Sequence, residues 1–342
     1  MPSIKLITWN MKGDVPDSDI SELFDKYYDF YVIGVQECEN SILKSFFANS
    51  KKLWRQKVDM FISRQGPYSL VGESEQNAML LQIFCKQSLV SQISCVHIQK
   101  ITLGQYNLAN KGAVSVSFCF NGVPLLFSNF HLFKAFEYYQ TRVVEFQRYL
   151  QKFSREMCIH QQPNTHPLSR FRQAFLLGDF NMRVSCSREE SDFKSFDQRR
   201  ALDQMTNFQS LFNLRDISQI EFEPGYKMNL QGGYTQTCVP SWTDRILVAD
   251  SNINNTIDDK LKTLKYSYCP ICQKYHKYKL AKNNSVEMDQ LQGDVYVDSQ
   301  NIQMEATSYK SPMIIGSDHQ PVIGIVEITG ITKSLQLKMC SE

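Results

Sequence analysis

The feature that most restricts this chain is a set of strand-length apolar runs, each of which stops on a polar side chain. The sharpest is Phe175 to Arg183, FLLGDFNMR. Phe175, Leu176 and Leu177 read as a buried strand, Gly178 lets the backbone turn, and Asp179 and Asn181 then emerge two apart on one side. A carboxylate and a carboxamide at a strand end offer oxygen ligands for a hard cation and an acceptor that aims a water. Taken alone, the same residues read as an ordinary strand followed by an Asx-type turn. The rest of the chain decides, because the pattern returns.

Ile4 to Trp9 reads as a strand ending in Asn10, and Tyr31 to Val35 as a strand ending in Gln36 and Glu37. Between them the sequence predicts a helix over Ser18 to Tyr28, capped by Asp17 or Ser18. Ala78 to Cys85 is dense enough for a central strand. Ala113 to Phe120 alternates like a half-buried one, turns at Asn121-Gly122, and returns as Val123 to Phe130, with Asn129 and His131 at its end. Tyr139, Val143, Phe146, Leu150 and Phe153 repeat in steps of four and three, the apolar face of a helix that packs on a sheet. Ser187 to Phe212 reads as helical with solvated charges. PSWTDRIL, Pro240 to Leu247, reads as a loop feeding a strand with Asp244 and Arg245 at its mouth, and Gly316 to His319 precedes a final strand, Pro321 to Ile328.

Composition narrows the class. The 342 residues are 42% hydrophobic with a formal net charge of +2, which argues against a dedicated nucleic-acid binder. No 18-residue apolar run is present and a strand-like segment begins almost at once, so neither a membrane span nor a signal peptide is expected, and a cytoplasmic location is. The ten cysteines show no framework spacing and are expected to be mostly reduced, and Cys340 lies one place too near the end for a prenylation signal. No cysteine sits in a C-x5-R phosphate-cradling loop.

TWN (8–10), VQE (35–37), NKGAV (110–114), SNFHL (128–132), GDFNMR (178–183), PSWTDRIL (240–247) and SDHQPV (317–322) together resemble the inositol polyphosphate 5-phosphatases, part of the endonuclease/exonuclease/phosphatase superfamily. The resemblance runs over residues 4–328. It implies an α/β fold, a four-layer sandwich of two mixed sheets packed face to face with helices outside, and a catalytic domain over 1–330 followed by a tail over 331–342.

The implied site is read residue by residue. Glu37 is similar to the principal Mg²⁺ ligand, with Asn10 beside it and Asp318 tuning the metal region. Asp179 resembles the group that orients or deprotonates the attacking water, Asn181 steadies that water or the phosphate, and His131 contacts the scissile phosphate. His319 resembles the imidazole that stabilises charge building on phosphorus, oriented by Asp244. Asn110 and Lys111 take the place of the 1-phosphate contacts, and Tyr226 and Lys227 that of the 4-phosphate contacts. Arg245 is placed with the substrate-binding groups or as a structural partner of Asp244. The implied reaction is direct attack of water on a phosphomonoester, with PI(4,5)P2 as leading substrate. PI(3,4,5)P3, PI(3,5)P2 and soluble inositol phosphates stay open, and a nuclease or deadenylase of the same superfamily is the alternative. The expected partner is a phosphoinositide headgroup at a membrane surface, met transiently by a monomer that a recruiting protein brings there; no nucleic acid is expected.

Two departures stand out. Gly225 replaces the usual Thr of the Tyr-Lys block, and Gln236 and Cys238 stand where the resemblance implies a Lys and an Arg, which weakens the hold on a second phosphate. The stretch between Arg245 and Ser317 is longer than the resemblance implies, so an insertion is expected over about 255–308. Within it, Cys269, Cys272 and His276 offer three zinc donors of the four usually needed, and otherwise read as a polar surface insertion with a Pro-turned cysteine pair.

Overall fold

The computed structural model describes residues 2–13, 15–39, 50–103, 111–156, 167–187, 189–190, 195–249 and 302–330, together with four short strand segments between 266 and 287. The strands are β1 (Ser3–Asn10), β2 (Phe30–Gln36), β3 (Tyr68–Gln76), β4 (Met79–Lys86), β5 (Ile93–Thr102), β6 (Gly112–Phe120), β7 (Val123–His131), β8 (Gln173–Asp179), β9 (Leu214–Asp216) and β10 (Asp244–Ala249). The ribbons β11 (Tyr266–Tyr268) with β12 (Tyr275–Lys277) and β13 (Lys279–Leu280) with β14 (Val286–Glu287) follow, then β15 (Gln303–Lys310) and β16 (Val322–Thr329).

Two six-stranded sheets result, in the orders β15-β16-β1-β2-β4-β3 and β5-β6-β7-β8-β10-β9. Each is mixed, with one parallel pair, β1 with β2 and β7 with β8, among antiparallel neighbours. Their inner faces share a core of Ile4, Leu6, Val32 and Ile83 against Val116, Phe118, Phe127 and Phe175. Helix α1 (Ser50–Arg64) covers the outside of the first sheet with Trp54, Val58 and Phe61. Helix α2 (Tyr139–Glu156) covers the second with Val143, Phe146, Tyr149, Leu150 and Phe153. The expected four-layer sandwich is therefore what forms, and each fully buried Leu or Phe contributes about 1.5–3 kcal/mol relative to exposure.

Beneath one end of the sandwich a polar clamp joins the sheets. Gln36 Nε2 donates to Asn129 Oδ1 at 2.6 Å and to Thr8 Oγ1 at 3.0 Å, while Asn129 Nδ2 donates to the carbonyls of Val35 and Leu80, each at 3.0 Å. Asn129 belongs to the second sheet and its partners to the first. Gly34 makes room for it, since a Cβ there would come within 2.9 Å of the Asn129 side chain.

Local expectations needed correction in three places. The helix expected over Ser18 to Tyr28 is a single 3-10 turn, Ser21–Phe24. Asp19 accepts from both the backbone N–H and the hydroxyl of Ser21 at 2.8 Å, which closes a tight turn instead of starting an α-helix. The continuous helical stretch expected from Ser187 to Phe212 is broken: its described residues include the short helices α3 (Phe196–Ala201) and α4 (Gln204–Phe212). They part where Asp203 caps Met205 and pairs with Arg245. Residues 303–308 of the expected insertion belong to β15, an edge strand whose polar alternation, QMEATSYK, lacks the apolar density of the central strands. Cys269 and Cys272 lie outside the described residues.

Candidate active site

Strand register brings the polar ends together. Across the second sheet Gly112 faces His131, His131 faces Asp179, and Asp179 faces Asp244, with Lys111 just ahead of the row. In the first sheet Asn10 faces Gln36, Glu37 follows, and His319 lies just before β16. Gly178 sits at φ 140°, and a Cβ there would come within 2.2 Å of the Phe130 carbonyl, so only glycine lets β8 deliver Asp179 beside His131. Glu37 and Asn181 are both held in the left-handed region, at φ 50° and 53°, a conformation that concentrates at functional sites.

His319 and Asp244 form a buried pair. Nδ1 of the imidazole lies 2.6 Å from Asp244 Oδ2, which also accepts from Thr243 Oγ1 at 2.8 Å. The imidazole backbone is fixed from the other sheet element as well. Trp9 Nε1 donates to the His319 carbonyl at 2.9 Å, and Ser317 Oγ accepts from His319 N–H at 3.2 Å while donating to the Asn10 carbonyl at 2.6 Å. Burial opposes charge on this imidazole, but Asp244 outweighs it, helped by Asp179 and Asp318, and raises His319 to about 9. At neutral pH it is an imidazolium whose Nδ1–H is spoken for. Asp179 is buried; burial and then Asp244 push its carboxyl up, while His319, Lys111 and Arg183 act the other way.

The second group surrounds Glu37. Asn10 Nδ2 donates to Asp179 Oδ2 at 3.0 Å and to Glu37 Oε1 at 3.4 Å, bridging the sheets. His131 Nε2 lies 3.5 Å from Glu37 Oε1 and 3.6 Å from Asp179 Oδ2, and Lys111 Nζ contacts the same nitrogen. Burial lowers Lys111 to about 8, with Asp179 and Glu37 opposing, so the lysine is still mostly an ammonium at neutral pH and His131 Nε2 is its acceptor.

Among the described residues, two groups of side chains are candidates for holding a metal. Asp179, Asp244 and His319 bring ligand atoms within 4.8 Å of one another. A charged imidazole already occupies this cluster, its Nδ1 bonded to Asp244, so His319 can ligate a cation there only by giving up a proton. Glu37, its side chain 43% exposed, and Asp179 instead present carboxylate oxygens bridged by the Asn10 carboxamide, with His131 Nε2 3.5 and 3.6 Å away. That oxygen-rich donor set fits a hard divalent cation, and the first cluster fits acid-base work.

Not every expected residue joins. Asp318 pairs with Lys12 Nζ at 3.4 Å, and its charge acts on His319 and Tyr226. Arg245 is engaged by carboxylates other than Asp244. It follows Asp244 on an alternating strand and bonds Asp203 at 2.8 Å and Asp216 at 3.0 Å, buried. Asn181 donates from its own N–H to Asp179 Oδ1 at 2.9 Å, and its carboxamide is engaged by Leu132 O at 3.0 Å and Arg183 Nη2 at 2.7 Å. Tyr226 lies against His319, ring centroids 4.4 Å apart, and Lys227 beside it is half-buried. Asn110 lies outside the described residues. Sequence reasoning missed Ser317 and Thr243, whose small hydroxyls inside the SDH and WTD motifs carry no signal of their own, and Arg183.

Comparisons with known proteins bear on the family and the fold. The model of Endonuclease/Exonuclease/phosphatase family 2 matches residues 7–278. Phosphatidylinositol polyphosphate 5-phosphatase type IV of Rattus norvegicus is 26% identical over 292 residues, 77% of this chain, and the chain spans 42% of that relative's length. Among solved structures, the inositol polyphosphate 5-phosphatase domain of spsynaptojanin, in complex with inositol (1,4)-bisphosphate and calcium ion, superposes with a TM-score of 0.66 at 22% identity, covering 95% of this chain and 83% of that one. A Cimex nitrophorin ferrous NO complex reaches a TM-score of 0.65 at 15% identity, with 96% and 98% covered. At such identities likeness of structure shows the fold alone, and the chemistry rests on the side chains. With the family model spanning most of its length, the chain belongs to the endonuclease/exonuclease/phosphatase family.

Proposed function

We propose that the protein is a Mg²⁺-dependent phosphomonoesterase that removes the 5-phosphate from phosphoinositides by direct attack of water, with PI(4,5)P2 as the leading substrate. The observation that carries this reading is the buried His319–Asp244 pair set beside Asp179, at the strand ends where Lys111, His131 and Glu37 also converge. Asp179 accepts a proton from the attacking water or fixes its direction. His319, held charged by Asp244, presents its remaining N–H to the phosphoryl oxygens as negative charge grows there. Lys111 adds a second cation on the opposite side, and His131 orients it. Asn10 and Asn181 keep the two carboxylates of the site apart and aligned. Mg²⁺, held by Glu37 with Asn10, would supply positive charge toward the phosphoryl oxygens and lower the pKa of a bound water. Tyr226 and Lys227 meet the neighbouring phosphate, with less cationic help than the resemblance implies, because Gln236, exposed, and Cys238, half-buried, stand where a Lys and an Arg are expected.

The rat relative's name supports the substrate class, as does the complex of the spsynaptojanin domain with inositol (1,4)-bisphosphate. The test is phosphate release by the purified protein from short-chain PI(4,5)P2, PI(3,5)P2 and PI(3,4,5)P3, with Mg²⁺ and with EDTA, beside Asp179→Ala. Mg²⁺-dependent release that the substitution abolishes is the expected result. Release from none of the lipids, with cleavage of a nucleic acid instead, overturns it.

A further inference from the structure

Arg183 is the buried cation of the site that the reaction above leaves without a task. Its side chain is 9% exposed, and among the described residues no carboxylate pairs with it. Its side chain engages Asn181 and Tyr226, the latter through both ring and hydroxyl. Nη2 donates to Asn181 Oδ1 at 2.7 Å, and the guanidinium carbon lies 4.3 Å from the centre of the Tyr226 ring. The other neighbour of that ring is the His319 imidazole, 4.4 Å away between centroids, which in turn bonds Asp244. Guanidinium, phenol and imidazole therefore form one tilted column, the phenol and imidazole planes 44° apart, and its first member also grips the residue whose N–H holds Asp179. Arg183 is itself anchored, its backbone N–H donating to Gln204 Oε1 at 3.1 Å, while Nε has no hydrogen-bond partner among the described residues.

Burying a guanidinium without a carboxylate is costly, so the column must be held by what the guanidinium does for its neighbours. A planar guanidinium stacks through its faces and donates through its edges, so it can lie on Tyr226 and bond Asn181 at once. A lysine ammonium has neither face nor fork.

We infer that Arg183 is a positioning residue that locks the water-attack half of the site, Asn181 with Asp179, to the headgroup half, Tyr226 on His319. This deepens the phosphatase reading and rests on it for its kinetic consequences, although the column is a claim about structure alone. Loss of Arg183 frees both partners together. Tyr226 loses its backing and His319 its neighbour, while the carboxamide of Asn181 is left to its bond with Leu132.

The test uses the full chain with Arg183→Lys, Arg183→Met, Tyr226→Leu and the Arg183→Met/Tyr226→Leu double variant. The first readout is the NMR signal of the His319 ring protons, which feel the Tyr226 ring current. The inference expects that signal to move in Arg183→Lys as far as in Arg183→Met; a signal unmoved in both variants, with the fold intact by circular dichroism, overturns it. The second readout is kinetic, on short-chain PI(4,5)P2. Arg183→Met and Arg183→Lys are each expected to lower kcat by about 10- to 100-fold with little change in KM, the scale of a misplacement near 1 Å. The double variant is expected to fall no further than the worse single one. Rescue by lysine, or losses that multiply in the double variant, overturn the inference. A wild type that releases no phosphate counts against the phosphatase reading, and the NMR readout then still decides the column.

Discussion

His319 and Asp244 lie 2.6 Å apart in a buried setting, and that single contact sets the charge of the site. Asp244→Asn is expected to lower kcat by about 100- to 10,000-fold, the range for losing the group that orients a catalytic imidazole, with near-UV circular dichroism unchanged. Phosphate release under saturating substrate measures it. The adjacent residue behaves oppositely. Arg245 serves Asp203 and Asp216, so Arg245→Met is expected to cost about 3–5 kcal/mol of stability in urea unfolding, the cost of leaving buried carboxylates unpaired, while the folded fraction keeps its KM. Strand periodicity separates the two roles, because successive side chains point to opposite faces and Asp244 and Arg245 cannot both face one pocket. No such pattern marks Arg183. A charge after a motif reads as a solvated side chain, and nothing in the sequence shows that Tyr226 arrives from 43 positions later to cover it.

At the level of elements, the strands buried on both faces announce themselves, as β8 does with Phe175, Leu176 and Leu177. Edge strands do not: β3 and β15 read as polar stretches because one side of each meets water. The clamp between the sheets shows the same gap in meaning. Asn129 is visible as a polar strand end, but its bonding to Gln36, Val35 and Leu80 exists only once the sheets pack, and Gln36 reads as an ordinary neighbour of Glu37. Asn129→Ala leaves those partners buried and unserved, and is expected to destabilise the fold by about 1–3 kcal/mol for each group stranded, read from a thermal or urea midpoint. A second tie lies at the opposite end of the first sheet. Asp29 bonds Ser3 N–H at 2.9 Å and Lys86 Nζ at 2.8 Å, linking the starts of β1 and β2 to the end of β4. Burial works to raise its carboxyl, but the bonds from Lys86 and Ser3 win and hold it below the ordinary value of 3.8. Its contribution is therefore present above the unfolded value and is lost as pH falls through the lower folded one. The stability gap between wild type and Asp29→Asn is expected to be constant at neutral pH and to close on acidification below about pH 4. Urea midpoints at several pH values check this.

At the scale of the molecule, the candidate cation site is a shared property of the two sheets, since Glu37 and Asn10 come from one and Asp179 from the other. Chelation is expected to abolish phosphate release without unfolding the chain, and added Mg²⁺ to restore it; loss of the far-UV signal on EDTA treatment would instead assign the ion a structural role. The pairing of sheets has a consequence for how activity is lost. Contacts cross from one sheet to the other within the site, among them Asn10 to Asp179, His131 to Glu37 and His319 to Asp244, so neither sheet carries a complete catalytic set. Turnover is thus a gauge of the gap between the sheets: any state in which they slide or part, however much of each survives, is silent, and inactivation on heating should run ahead of the melting of either sheet.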